Sequence, residues 1–166
     1  MVKVFVSVGS NINRQANIES CIKALRSQFG EINTSSVYET IAVGFEGDNF
    51  YNLVVSFDAD DPAELTRKLR DIEEKHGRKR TDKRFTARTL DLDLLLFGEQ
   101  NLKPDGYDVP RDEITRYAFV LAPLAELAPN DSHPLLGSTY AELWADFCLV
   151  NPTEVDSIWP VSFHWN

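Results

Sequence analysis

The stretch Arg88-Thr89-Leu90-Asp91-Leu92-Asp93-Leu94-Leu95-Leu96-Phe97-Gly98 leaves few choices of fold. A run this apolar, closed by glycine, reads as a central, buried strand. Side chains two apart on a strand share a face. Asp91 and Asp93 then point the same way, with Thr89 before them and Leu95 and Phe97 after. Leu90, Leu92, Leu94 and Leu96 fill the opposite face. Charges are not buried cheaply without a partner. A divalent cation neutralises neighbouring carboxylates well. Just before the strand stand Arg78, Lys79, Arg80, Lys83, Arg84 and Arg88 against one Asp82. An anion site beside a cation site suggests a metal-bound polyphosphate. The plainer alternative pairs the aspartates with Arg88 and its neighbours and leaves the basic run as a solvated face.

That local basicity stands out because the 166-residue chain carries a net charge of −9. Such a balance argues against general binding to nucleic acid or anionic membranes. The length suits one domain, over 1–166, with a real core. Cys21 and Cys148 are too far apart for a metal or redox spacing and read as buried or incidental thiols. Met1 to Val8 alternates like a strand and lacks a signal peptide's apolar core, and no stretch is long enough to span a membrane. A cytoplasmic protein is expected.

Val2, Val4, Val6 and Val8 mark a first strand, ended by Gly9-Ser10-Asn11. A phosphate-binding turn there lacks the spacing of a P-loop, so a plain strand-to-helix turn is the reading. Ile18, Cys21, Ile22 and Leu25 form a helical stripe that runs to Phe29 and stops at Gly30. Ser35 to Thr40 reads as a second strand, Ile41 to Asn49 as a loop, and Phe50 to Phe57 as a third strand. Phe50, Asn52 and Val54 share one face of that strand. An amide such as Asn52 in an apolar strand either satisfies local backbone or reads a polar ligand. Asp61-Pro62-Ala63-Glu64 opens a second helix with a capping box, Leu65, Leu69 and Ile72 line it, and Gly77 stops it. After the Asp91/Asp93 strand, Leu102 to Val109 is expected as an extended arm. Ile114 to Leu127 is helical in composition and broken at Pro123. Thr139-x-x-Glu142 opens a further helix. Trp159, Phe163 and Trp165 in the tail are expected to dock on the body. The element order gives an α+β fold with a ferredoxin-like βαββαβ core, an antiparallel sheet with helices, plus C-terminal additions.

Phosphoryl or pyrophosphoryl transfer needs a metal on the phosphate oxygens, cations around them and a positioned acceptor. Asp91 and Asp93 suit Mg²⁺, which keeps several waters and takes one or two carboxylates. Arg80, Arg84 and Arg88 suit bidentate phosphate contacts.

These blocks resemble the 6-hydroxymethyl-7,8-dihydropterin pyrophosphokinase (HPPK) family of folate biosynthesis. The resemblance rests on Val8-Gly9-Ser10-Asn11, Val37-Tyr38-Glu39-Thr40, Phe50-Tyr51-Asn52, Ile72-Glu73, Gly77-Arg78-x-Arg80 and Arg88-Thr89-Leu90-Asp91-Leu92-Asp93 to Phe97-Gly98. Val109-Pro110 and Phe119-Val120-Leu121-x-Pro123-Leu124 follow in order. It implies transfer of pyrophosphate from ATP to the pterin hydroxymethyl group, with release of AMP. It implies two Mg²⁺ ions on Asp91 and Asp93, which with Arg80 and Arg88 make the catalytic set. Pterin would meet Thr40, Val43, Phe50, Asn52 and Phe119. ATP would meet Glu73, Arg78, Arg80, Arg84, Arg88, Leu94, Arg111 and Arg116. The loops at 41–49 and 78–87 would close to exclude water. A monomer with only these small-molecule partners is expected, with no nucleic acid and no membrane.

The chain also departs from the family pattern. Thr86-Ala87 stands for a Gly-Pro, Phe85 for a tryptophan, Arg111 for a histidine, Tyr117 for an arginine, and Ile41-Ala42 for a proline-rich turn. Arg111 and Arg116 are expected to take over as phosphate ligands. Two other readings compete: a pterin-binding paralogue without kinase activity, and a ferredoxin-like RNA-binding module, which the missing glycine- and aromatic-rich strand pattern disfavours.

Overall fold

The computed structural model describes residues 1–41, 48–77 and 89–165. Strand β1 (Val2–Ser10) leads into helix α1 (Arg14–Phe29). Two short strands follow, β2 (Asn33–Thr34) and β3 (Tyr38–Thr40), then the long β4 (Phe50–Ala59). Helix α2 (Pro62–Lys75) precedes β5 (Asp91–Phe97). Beyond it lie α3 (Ala118–Leu127), α4 (Tyr140–Val150), the single turn α5 (Pro152–Val155) and β6 (Ile158–Pro160). The main path of the sheet runs β5-β1-β4-β3-β6, with β2 also on β4. The described pairings are antiparallel. β5-β1-β4-β3 is the order of the split βαβ arrangement expected from the sequence.

One sheet face packs on α1 and α2 through Val4, Val6, Val8, Leu53, Val55, Leu92 and Leu94. The other packs on α3 through Phe5, Val54, Leu95 and Leu96. This arrangement corrects two expectations for β5. Among the described residues it ends the sheet rather than lying centrally, although both of its faces are buried. Its alternation also breaks, because the register with β1 shifts between Phe5 and Val6. The extra residue at Leu95 puts Leu96 on the α3 side with Leu95 and sends Phe97 to the α1/α2 side.

Local chemistry accounts for most element ends. Gly30, at φ 82, closes α1. The Asp61 carboxylate accepts the Ala63 N–H at 3.1 Å at the start of α2. Glu64 does not complete the expected box with it but pairs with Lys68 one turn on, at 3.0 Å. Thr139 and Glu142 do form the capping box of α4. The second strand expected over Ser35–Thr40 shortens to β3, and β2 lies just before it; between them the Ser35 N–H donates to the Val54 carbonyl at 2.9 Å and its hydroxyl accepts the Val54 N–H at 2.9 Å. In place of an extended arm, Lys103–Asp105 makes a 3-10 turn. A second 3-10 turn, Asp112–Thr115, precedes α3, which runs through Pro123 unbroken. Cys21 is fully buried in the core, as expected, and Cys148 is half-buried. Among the described residues, no helix is long and apolar enough to cross a membrane.

Candidate active site

The α3-facing side of the sheet carries two rows of paired residues across β4, β1 and the terminal strand β5. In the first, Asn52 of β4 pairs with Gly9 of β1, which pairs with Asp91 of β5. In the second, Val54, Ser7 and Asp93 stand in line. Directly paired residues share a face, so Asn52, Gly9 and Asp91 face the same side. With adjacent strands about 4.8 Å apart, Asn52 and Asp91 are separated by roughly 10 Å of strand spacing.

Gly9 makes that row a floor. A Cβ there would lie 2.9 Å from the Asn52 Oδ1 and 3.9 Å from the Phe50 ring. Phe50, Thr40 and Asp91 around it are half-buried, and Asn52 is buried. Asn52 Nδ2 donates to the Thr40 hydroxyl at 2.9 Å, fixing the amide's orientation. Sequence reasoning ended β1 at Gly9 and took it for a turn. The strand continues through Ser10, whose hydroxyl donates to the Thr89 carbonyl at 2.5 Å. The signal for a floor was a glycine in register with Asn52, and only pairing reveals register.

On the side of the carboxylate pair, Arg111 Nη2 lies 3.6 Å from Asp93 Oδ1 and 2.9 Å from Glu113 Oε1. Burial works against the Arg111 charge, but Asp93 and Glu113 outweigh it and hold its pKa above the ordinary value. The Arg111 N–H is fixed by the Leu95 carbonyl at 3.0 Å. Arg116 is exposed beyond the same 3-10 turn, where its charge acts on Asp112. Among the described residues, no group of three or more His, Cys, Asp or Glu side chains could hold a metal ion. Two carboxylates spaced by two on one strand are still a donor set that suits Mg²⁺, which takes one or two carboxylates and keeps several waters.

Glu73 sits behind β5, at 1% exposure. Its carboxylate accepts the Leu92 N–H at 2.6 Å and pairs with Arg70 at 2.5 Å. Burial pushes its pKa up to about 8, helped by the charges of Asp91 and Asp93 and opposed by Leu92 and Arg70. Arg70 also donates to the Leu92 carbonyl at 3.1 Å. Sequence reasoning missed Arg70; its spacing from Glu73, three residues on one helix, was the available signal. The Leu94 side chain is buried in the α1/α2 core. Phe119, at the start of α3, is half-buried against Tyr117, with ring centroids 5.0 Å apart. Val43, Arg78, Arg80, Arg84 and Arg88 lie outside the described residues.

The fold and this site together define a small α+β domain that sets a buried amide and a carboxylate pair on one sheet face. A profile of the family described as 7,8-dihydro-6-hydroxymethylpterin-pyrophosphokinase matches residues 5–129, and the chain belongs to that family. It is 33% identical over 161 residues to a 2-amino-4-hydroxy-6-hydroxymethyldihydropteridine pyrophosphokinase of Synechocystis, covering 95% of this chain and 79% of that one. It is 36% identical over 128 residues to the Bacillus subtilis protein of the same name, covering 74% and 76%. The Plasmodium falciparum HPPK-DHPS crystal structure superimposes with a TM-score of 0.73 at 15% identity, covering 96% of this chain and 47% of that longer one. This chain thus spans about half of that structure's length, and at such identity the likeness is one of fold.

Proposed function

We propose that the chain transfers pyrophosphate from ATP to the hydroxymethyl group of 6-hydroxymethyl-7,8-dihydropterin, releasing AMP. The observation that carries this reading is the Asn52–Gly9–Asp91 row. It sets a hydrogen-bonding amide and a metal-type carboxylate on one face, about two strand spacings apart. A flat heterocycle lying over Gly9 meets both a donor and an acceptor on Asn52. Phe50 and Phe119 supply ring faces for it, and Thr40 holds the amide in place.

Asp91 and Asp93 would hold two Mg²⁺ ions, which when bound offset the charge on the ATP phosphates. Arg111 adds a fixed positive charge beside them. Arg78, Arg80, Arg84, Arg88 and Arg116 complete the proposed phosphate contacts, and Glu73 and Leu94 support the nucleotide side from beneath β5. Among the described residues no side chain of the site is a strong general base, so positioning and charge carry most of the rate. The paralogue without kinase activity is not favoured, since the relatives that the chain matches are named as pyrophosphokinases. The domain is proposed to act as a monomer in the cytoplasm.

Purified protein mixed with ATP, Mg²⁺ and 6-hydroxymethyl-7,8-dihydropterin should release AMP only when all three are present. Asp93→Ala should abolish the release. AMP release that continues without pterin, or that survives Asp93→Ala, would refute the assignment.

A further inference from the structure

The family match ends at residue 129, yet the chain beyond it touches both flanks of the site. We propose that Glu154 to Val161 form a brace that sets the gap between the two pterin-facing walls, with Glu154 as a positioning residue. The proposal rests on the pterin reading above.

One wall is β3 with Thr40. β6 pairs antiparallel with it, Tyr38 to Pro160, Glu39 to Trp159 and Thr40 to Ile158. The ladder is extended at both ends. The Ser157 carbonyl accepts the Ile41 N–H at 3.2 Å, and the Val161 N–H donates to the Val37 carbonyl at 2.9 Å. The backbone from Val37 to Ile41 is therefore tied along its length to the C-terminal segment. This includes the residue whose hydroxyl orients Asn52.

The other wall is the first turn of α3, which carries Phe119. Its N-cap residue, Tyr117, supplies no side-chain cap. Glu154 Oε1 takes the Ala118 N–H from outside, at 3.4 Å, placing an acidic side chain at the positive end of the helix. Val155 and Ile158 pack on the same apolar cluster as Phe119.

Two residues separate Glu154 from Ser157, and the four form a closed turn. The Glu154 carbonyl accepts both the Ser157 N–H at 3.0 Å and the Ser157 hydroxyl at 2.6 Å. Displacing one wall then moves the other. A flat ring held between Phe119 and the Thr40 side depends on that separation, whereas the carboxylate pair sits on β5, three strands away from β3.

The test uses full-length variants. Glu154→Leu removes the acceptor, Glu154→Gln keeps one, and Val161→Pro removes the donor to Val37. Pterin affinity is read directly by fluorescence titration, and KM is measured for pterin and ATP separately. Glu154→Leu and Val161→Pro should raise the pterin Kd and KM about 3- to 10-fold, as expected for loss of a preorganising contact. The ATP KM should stay within about twofold, and Glu154→Gln should restore the pterin values. A purely structural role would lower kcat or melting temperature and leave the pterin KM unchanged. That result, or a parallel rise in both KM values, would overturn the brace while leaving the activity assignment intact. Wild-type protein that neither binds pterin nor releases AMP would overturn both.

Discussion

The Glu73 carboxylate accepts the N–H of Leu92 at 2.6 Å, and so holds the residue that separates Asp91 from Asp93. Arg70 takes the carbonyl of the same residue at 3.1 Å while pairing with Glu73. At Leu92 the outer edge of β5 is thereby closed by two side chains of α2, which satisfies both peptide groups of that residue. The clamp also fixes the strand at the point where two like charges must sit side by side.

Arg70→Met should therefore destabilise the protein and disturb the carboxylate pair. It leaves Glu73 buried without its cation, which above pH 8, where the folded chain carries this carboxylate ionised, costs about 3 kcal/mol. Urea unfolding would give the loss directly. AMP release per folded molecule should fall more than the pterin affinity does. Equal stability of the variant and the wild type would show that Arg70 is not holding Glu73.

The same carboxylate predicts a pH dependence. Glu73 ionises near its ordinary 4.5 in the unfolded chain and near 8 in the folded one. Between those values the folded state keeps a proton that the unfolded state has released. Raising the pH therefore favours unfolding, and stability present at low pH is lost as the pH climbs towards 8. The loss attributable to this group is on the order of 3 kcal/mol. Other carboxylates act in the opposite sense, so the comparison is with Glu73→Gln at pH 5.5 and 8.5. Wild type should lose stability relative to the variant over that interval; parallel behaviour would refute the raised pKa.

Gly9→Ala tests the floor of the site. The added methyl would sit 2.9 Å from the Asn52 Oδ1, too close for an undisturbed contact. Asn52 cannot simply swing away, because its amide is tied to Thr40. The pterin KM should rise at least about tenfold, the scale at which small misplacements matter in a positioned site. The ATP KM should change little and the far-ultraviolet circular dichroism not at all. An unchanged pterin KM would mean that nothing lies over Gly9.

How much of this was legible in the sequence follows from how local each cause is. Helix α1, its stop at Gly30, the Thr139–Glu142 box and the paired faces of Asn52 and Val54 depend on residues within a turn or two, and the spacing predicted them. The Asp91/Asp93 face was equally readable, because period two needs only the strand itself. The faces of Leu96 and Phe97 were not, since a bulge is a relation between β5 and its partner β1. Gly9 as a floor, Arg70 as a clamp and β6 on β3 likewise depend on pairing across long stretches of chain. Of the tail aromatics expected to dock, Phe163 does so, meeting Tyr51 edge-on with centroids 5.9 Å apart, whereas Trp159 and Trp165 stay exposed.

Arg111 carries the last prediction. It lies beside Asp93 and is steadied by Glu113. In the family pattern that the sequence resembles, a histidine holds this position. If the guanidinium serves as a phosphate ligand, Arg111→Ala should raise the ATP KM about tenfold, the effect of losing one charge-assisted contact of about 1.4 kcal/mol or more. Arg111→Lys should recover part of it, as a point charge without the fork. Arg111→His should recover more as the pH falls below about 6.5, where imidazole is cationic. The pterin KM should stay level throughout. The measurement is a set of ATP saturation curves for the three variants between pH 6 and 8. An ATP KM that ignores Arg111→Ala would show that the arginine only balances Asp93 and touches no phosphate.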